Sequence, residues 1–150
     1  MIRIILFLAI FVATPALAFP PGFLAAITSG RATIDWDTFE ASEEGWSTTS
    51  WNRGTYRGSY DGTYAYISTA TSVTTSKSVT TGDGFIEFCY ATQTGTTGAF
   101  EIDDAPILTG LASTSWTCVS PIEISAGPHT LAFTTSGTGA FAFDHVSIPR

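Results

Sequence analysis

Apolar and polar residues alternate in short runs along most of this chain, and no long stretch shows the spacing of an amphipathic helix. Runs rich in β-branched and aromatic residues, separated by turns that contain glycine, predict β-strands. Such a series of short strands is typical of an all-β, two-sheet antiparallel sandwich of the jelly-roll type. The predicted strands are 33–39, 45–51, 63–69, 76–80, 85–92, 116–124, 130–135 and 140–148.

The last predicted strand is apolar on both faces. Phe141 and Phe143 lie on one face, and Ala142 and Val146 lie on the other. A strand that packs on both sides is expected at the centre of a sheet. Other residues that we expect in the interior are Trp36, Trp46, Trp116, Phe85, Ile86, Phe88, Phe100, Leu131 and Phe133.

The N-terminal segment differs from the rest of the chain. Arg3, the apolar run 4–13, Pro15 and the small-residue pattern that ends at Ala18 predict a secretory signal peptide, 1–18, with cleavage before Phe19. The alternative is an uncleaved membrane anchor, but the run is shorter than the roughly 20 residues that cross a bilayer. We expect an irregular leader over 19–30 and one domain over 31–150, which is secreted, extracellular or held at a cell surface.

Charge and cysteine content narrow the possible partners. The chain has 6 basic and 13 acidic residues and a net charge of −7. We therefore expect no nucleic-acid partner and, after signal cleavage, no membrane partner, since both need clustered Lys and Arg. Cys89 and Cys118 are the two cysteines. Because export leads to an oxidising compartment, we expect a disulfide between them, with two buried free thiols as the alternative.

A series of short motifs follows the order of the predicted strands. Together they resemble the concanavalin-like jelly-roll superfamily, which includes MAM-like modules and carbohydrate-binding modules. The resemblance covers nearly all of the predicted mature chain, and it implies a β-sandwich with a binding role. The motifs are Phe39-Glu40, Gly45-Trp46, Trp51, the segment 59–65, Trp116, the segment 127–131 and the segment 143–146.

The resemblance also implies a structural calcium ion between the first and last strands. Glu40 and Asp144 occupy the positions of its usual ligands, and Asp37 or a group near Asp61 is expected to complete the shell. Carboxylate and carbonyl oxygens are the ligands that calcium prefers. His145 stands where a second acid is often found, which leaves one carboxylate fewer. The alternative is that Glu40 caps a turn and Asp144 accepts backbone hydrogen bonds.

Aromatic and polar residues alternate along the segment 51–64. Trp51, Tyr56, Arg57 and Tyr60 are candidate glycan-binding residues, because rings stack on the C–H faces of sugars and Arg binds hydroxyl groups. The alternative is an ordinary polar hairpin in which Trp51 and Tyr64 pack in the core or at an edge. Packing is favoured for Trp51, and both interpretations stay open for Tyr56, Arg57 and Tyr60.

The sequence contains no recognisable catalytic arrangement. His129 and His145 are its histidines, and no serine lies in the glycine pattern of a nucleophile elbow. Asp103 and Asp104 are adjacent, so on a strand they point to opposite sides and cannot act together on one substrate. A turn explains them better. We therefore expect a protein that is not an enzyme.

Two functions follow from these observations. The first is a secreted, non-catalytic carbohydrate-binding or adhesion module, whose partner is a glycan or another polymer outside the cell. The alternative is an extracellular structural or assembly subunit, for example of a surface layer, a filament or a virion. That alternative implies self-association, since the Thr-rich strands carry almost no Lys to block edge-to-edge pairing.

Overall fold

All regular structure in the described part of the chain is β-strand. The computed structural model describes residues 33–56 and 58–150, so the predicted signal peptide, 1–18, and leader, 19–30, lie outside the described residues. The described residues contain no helix that is long and apolar enough to cross a membrane. In chain order the strands are β1 Ile34–Asp37, β2 Asn52–Gly54, β3 Ala65–Ser68, β4 Thr74–Thr81, β5 Gly84–Thr92, β6 Thr96–Ile102, β7 Ala105–Leu111, β8 Thr117–Cys118, β9 Ile122–Ile124, β10 Gly127–Gly137 and β11 Phe141–Pro149.

The strands form two antiparallel sheets. The larger sheet has the order β2-β3-β11-β5-β8, with β1 paired to β11 and β9 paired to β5, and the smaller sheet has the order β4-β10-β6-β7. The last strand, β11, is central in the larger sheet because it pairs with β1, β3 and β5. The predicted two-sheet sandwich is confirmed.

Some strand predictions are wrong. Residues 45–51 form turns and irregular backbone instead of a strand. The predicted strand 116–124 is two short strands, β8 and β9, separated by a segment that contains Pro121, which has no N–H to donate to a ladder. The strands β6 and β7 were not predicted. Gly98, Gly110 and Pro106 weaken their strand signal, since glycine and proline are depleted in strands.

Aromatic rings fill the space between the two sheets. Phe133 on β10 stacks on Phe143 of β11, with ring centroids 3.9 Å apart. Phe88 on β5 meets Phe133 edge to face at 4.7 Å. All three side chains are fully buried. Because each pair joins one sheet to the other, these rings hold the sandwich together.

A buried ion pair also joins the sheets. Lys77 on β4 donates from Nζ to both carboxylate oxygens of Asp37 on β1, each at 2.7 Å. The indole N–H of Trp46 donates to the same carboxylate at 2.8 Å. Asp37 is 4 % exposed. Its charge is therefore compensated only while β1 and β4 stay together.

A β-bulge in β11 decides which of its side chains enter the core. The pairing register with β5 shifts between Asp144 and Ser147, and His145 has a φ of 55°, in the left-handed region. The extra residue breaks the alternation, so Val146 enters the same core as Phe143. The prediction that Val146 lies opposite Phe143 is therefore wrong.

The cysteines are paired as predicted. Cys89 on β5 and Cys118 on β8 form a disulfide. The two residues are direct partners in the ladder between these strands. The bond therefore ties the short edge strand β8 to the centre of the larger sheet.

Candidate functional site

The outer face of the larger sheet is the side turned away from the smaller sheet. On β5 the residues on either side of Glu87 belong to the core, so Phe85 and Glu87 point outward. Ser147 of β11 pairs with Glu87 on one side and with Trp36 of β1 on the other. Three neighbouring strands therefore contribute side chains to one surface.

An apolar groove, here termed the outer-face groove, crosses this surface with a volume of about 340 Å³. Its large side chains are open to solvent: Ile34 is 51 % exposed, Trp36 44 % and Phe85 56 %. The prediction that Trp36 and Phe85 lie in the interior is wrong, because their strand neighbours Asp37 and Ile86 point inward instead. The groove is lined by Ile34, Trp36, Gly84, Phe85, Glu87, Ser147 and Pro149.

A second cavity of about 560 Å³ adjoins the outer-face groove. Gly84 and Phe85 line both cavities, so the two cavities meet at these residues. A side chain at position 84 would meet Pro149, since a Cβ atom built there lies 2.8 Å from the Cβ of that proline. The second cavity is lined by Asp83, Gly84, Phe85, Glu123, Ile124 and Ser125.

Aromatic contacts extend from the groove to Tyr60. The rings of Trp36 and His145 lie 4.3 Å apart, and the His145 ring meets the Tyr60 ring edge to face at 5.5 Å. Tyr60 is 48 % exposed. One of the tyrosines predicted from sequence therefore lies beside a surface that the sequence did not reveal.

Two of the other predicted ligand-binding residues, Trp51 and Tyr56, lie elsewhere. Trp51 is 2 % exposed and stacks on Tyr66 in the core. It cannot touch a ligand from there, so its place in the ligand-binding set is corrected to core packing. Tyr56 packs against a small apolar cluster around Ala142, and Arg57 lies outside the described residues.

Trp116 covers the same cluster as Tyr56. It is half-buried, not a core residue as predicted. Its indole N–H donates to the carbonyl oxygen of Gly58 at 3.3 Å. Trp116 therefore fastens the segment around Gly58 to the outer face of the sheet.

Glu40 binds backbone N–H groups. Its Oε1 accepts from the backbone N–H of Thr63 at 2.7 Å and from that of Tyr64 at 2.8 Å. The bonds from Tyr64 and then Thr63 lower the pKa of Glu40 from its ordinary value. The guanidinium of Arg53 donates to the carbonyl oxygens of Phe39 and Glu40 and lies over the Tyr64 ring. These contacts hold the loop that precedes β3.

Asp144 is held in a similar way by the same loop. Its Oδ2 accepts from the backbone N–H of Tyr60 at 2.9 Å and of Asp61 at 3.1 Å, and its Oδ1 accepts from the N–H of His145 at 2.7 Å. Burial raises the pKa of Asp144 to about 6, while these N–H groups act in the opposite direction. Asp144 thus positions the backbone that carries Tyr60.

The four carboxylates predicted to bind calcium do not direct their oxygen atoms toward one common point. Glu40 and Asp144 face N–H donors, Asp37 is occupied by Lys77, and Oδ2 of Asp61 lies 3.4 Å from Nδ1 of His145. No group of three acidic, histidine or cysteine side chains that could hold a metal ion occurs among residues 33–56 and 58–150. These contacts do not fit the calcium site that the resemblance implies.

The fold is similar to that of solved carbohydrate-binding modules. A xylan-binding domain of family 22 aligns at 14 % identity and a TM-score of 0.56, over 77 % of this chain and 93 % of that one. A Clostridium thermocellum xylanase 10B structure, comprising a family 22 and a GH10 module with xylohexaose, aligns at 20 % identity and 0.58, over 81 % of this chain. The match spans 29 % of that longer protein.

A third similar structure is a TmCBM61 module in complex with β-1,4-galactotriose. It aligns at 12 % identity and a TM-score of 0.53, over 76 % of this chain and 92 % of that one. At these identities the likeness shows the fold. No family model matches the chain, and no curated protein matches it, so the MAM-like part of the resemblance stays a prediction.

The histidine nearest a carboxylate is not arranged as a general base. Nδ1 of His129 lies 2.7 Å from Oδ2 of Asp103, and Nε2 lies 3.1 Å from the carbonyl oxygen of Ser125. Both ring nitrogens face acceptors, which favours the doubly protonated ring, and that form has no lone pair free to take a proton. Asp103 and Asp104 have φ values of 53° and 63° and form the turn between β6 and β7, as predicted.

The alternation of residues along β5 indicates that Phe85 points outward, although its hydrophobicity favours a place in the core. Phe85 has the same parity on β5 as Glu87, whereas Ile86 and Phe88 have the other. The exposed Glu87 therefore marks the outward face. Trp36 has no equivalent signal, because the neighbour that points inward is Asp37, a charged residue that normally indicates solvent.

Proposed function

We propose that this protein is a non-catalytic carbohydrate-binding module that binds its glycan in the outer-face groove. The observation that carries the proposal is the pair of exposed rings, Trp36 and Phe85, on either side of a groove across one sheet face. A contiguous apolar patch that water can reach is uncommon unless it contacts another molecule.

The chemistry of the groove matches sugar recognition. Aromatic rings offer flat apolar surfaces to the C–H groups of a pyranose ring, and polar side chains at the rim fix the orientation of its hydroxyl groups. Glu87 supplies an acceptor in the groove. Tyr60 extends this surface, because the His145 ring contacts both the Trp36 ring and the Tyr60 ring. The xylohexaose and galactotriose bound by similar folds support a glycan as the partner.

Two substitutions test the site. We expect Trp36→Ala and Phe85→Ala each to weaken binding at least about tenfold, because ring stacking contributes much of the contact area and tenfold corresponds to about 1.4 kcal/mol. A glycan array identifies the ligand, and titration calorimetry then measures the affinity of each variant.

The matched control is Ile107→Ala. Ile107 is 42 % exposed on β7 of the smaller sheet, so this variant also removes an exposed apolar side chain. We expect its binding to stay within twofold of the parent protein. Full affinity in both groove variants would exclude the groove as the binding site, and Tyr60→Ala then tests the neighbouring surface by itself.

Calcium binding needs a separate measurement. A ligand present at 100 times its Kd stabilises a folded protein by about 2.7 kcal/mol, which shifts the melting temperature by several degrees. Because Glu40 and Asp144 already bind backbone N–H groups, we expect the melting temperature in EDTA and in excess calcium to agree. A calcium-dependent rise that Glu40→Gln abolishes would instead support the ion implied by the resemblance.

Light scattering over a range of concentrations tests the assembly alternative. The exposed strand β7 contains Pro106, which lacks an N–H, and Gly110 with a φ of 67°. Proline at a sheet edge blocks pairing at its position, because it has no N–H to donate. We expect a monomer, and ordered oligomers would favour the structural subunit.

A further inference from the structure

We propose that the outer-face groove, with the cavity beyond Phe85, selects glycans without acidic groups and excludes uronic-acid and sulfated glycans. This inference rests on the proposed function, since it concerns the selectivity of the same site. It follows from the charges that line the two cavities.

Three carboxylates face the path that a bound sugar chain would follow. Glu87 lines the outer-face groove, and Asp83 and Glu123 line the adjoining cavity. Glu123 lies directly opposite Phe85 in the pairing of β5 with β9. A sugar stacked on the Phe85 ring would therefore have a carboxylate beside it.

No lysine, arginine or histidine belongs to the described residues that line either cavity. Arg150 follows the groove residue Pro149 in the chain, but its guanidinium has other partners. Its Nε donates to Oδ2 of Asp35 at 2.7 Å, and its Nη1 donates to the carbonyl oxygen of Thr80 at 2.9 Å. Recognition of a carboxylate or sulfate normally uses such a group, often in a bidentate geometry. The groove does not offer one to an acidic ligand.

The carboxylates are suited to uncharged sugars. A carboxylate oxygen accepts hydrogen bonds and cannot donate them when ionised, so it matches sugar hydroxyl groups, which can donate. The same oxygen repels an anionic substituent. Hydroxyl binding and exclusion of acids therefore arise from the same side chains.

Matched pairs of probes test the selectivity. Cellohexaose is compared with its C6-oxidised, carboxylated form, and methyl-esterified hexagalacturonate is compared with the free acid. Within each pair the backbone is the same and the charge differs. At roughly 0.01 M salt, where charges are screened little, we expect the acidic member to bind at least about tenfold more weakly than the uncharged member. We expect this difference in affinity to narrow at about 1 M salt.

Charge-removing variants identify the source of the discrimination. We expect Glu87→Gln combined with Glu123→Gln to reduce the gap within a pair several-fold while the uncharged member still binds. Asp104→Asn is the control for charge removal away from the groove, because it removes a negative charge from the β6–β7 turn of the smaller sheet, where the φ of 63° suits Asn. We expect it to leave the gap unchanged.

The outcomes separate this inference from the proposed function. If both members of a pair bind equally, or if the acidic member binds more tightly, the selectivity is overturned while glycan binding stands. If no probe and no glycan on an array binds, or if binding survives the Trp36→Ala and Phe85→Ala substitutions, the proposed site fails and the selectivity fails with it.

Discussion

The two sheets of this sandwich have similar inner faces and different outer faces. Inside, both contribute aromatic rings to one core. Outside, the smaller sheet presents short hydroxyl side chains such as Thr74 on β4 and Thr134 on β10, whose Oγ1 atoms lie 2.8 Å apart. The outer face of the larger sheet instead presents Trp36, Phe85 and Tyr60.

The difference separates what the fold needs from what a function needs. Packing fixes the inner faces, since any gap between the sheets costs contact energy. An outer face has no such requirement, and threonine is an ordinary choice for a solvated strand. Exposed rings on the larger sheet are not explained by folding, so they are the residues on which the glycan proposal depends.

The largest effect on stability is expected inside, at the ion pair between the sheets. Lys77→Met leaves Asp37 buried without its partner and should lower the free energy of unfolding by about 3–5 kcal/mol in urea denaturation. Adding Asp37→Leu should recover part of the loss, because it removes the unpaired charge but leaves the indole N–H of Trp46 without its acceptor. A loss below about 1 kcal/mol for Lys77→Met would mean that the pair does not hold the sheets together.

The disulfide is expected to have the next largest effect. Cys89 and Cys118 are 29 residues apart in sequence, and loop entropy predicts that replacing both by Ser lowers the free energy of unfolding by roughly 3–4 kcal/mol. Chemical reduction of the parent protein is the comparison. If the Ser variant unfolds at the same urea concentration as the oxidised parent, the disulfide does not stabilise the fold through loop entropy.

A smaller, pH-dependent effect is expected at one end of the smaller sheet. Asp103 raises the pKa of His129 above its ordinary 6.5, and the N–H of Thr130, followed by His129, lowers the pKa of Asp103 below 3.8. The stabilisation of the folded state by His129 is fully present below the pKa of this histidine in the unfolded chain. It is lost as the pH rises through the higher pKa in the folded protein. The stabilisation of the folded state by Asp103 is present above the pKa of this residue in the unfolded chain. It is lost as the pH falls through the lower pKa in the folded protein.

The His129–Asp103 pair therefore stabilises the folded state most at pH values between the unfolded-state pKa of Asp103 and that of His129. His129→Gln should lower the melting temperature more at pH 5 than at pH 9, measured by scanning calorimetry at both pH values. Asp104→Asn, in the same turn, controls for general charge effects. An equal loss at both pH values would indicate that His129 acts through packing alone.

The smallest effect is expected on the outer face of the smaller sheet. Thr74→Val with Thr134→Val removes a hydroxyl pair at the surface and should change the free energy of unfolding by no more than about 0.5 kcal/mol. Glycan binding should not change. A clear loss of binding would show that the two outer faces are not divided as proposed.

The sequence by itself determined the fold class and several local features. Alternation with turn residues was enough for a β-sandwich, for β11 at its centre and for the Asp103–Asp104 turn, because these follow from neighbouring residues. The Cys89–Cys118 bond followed from two cysteines in a chain with a predicted export signal. The alternative interpretation of Asp144, as an acceptor of backbone hydrogen bonds, agrees with its contacts.

Only the tertiary structure decided which face of each strand lies inside. Alternation divides a strand into two faces, but the bulge at His145 shifts the division within β11, and the choice of inner face depends on what the other sheet offers. Lys77 attracts Asp37 inward from 40 residues away in sequence, which turns Trp36 out to solvent. Such pairings exist only after packing, so the groove could not be read from local sequence.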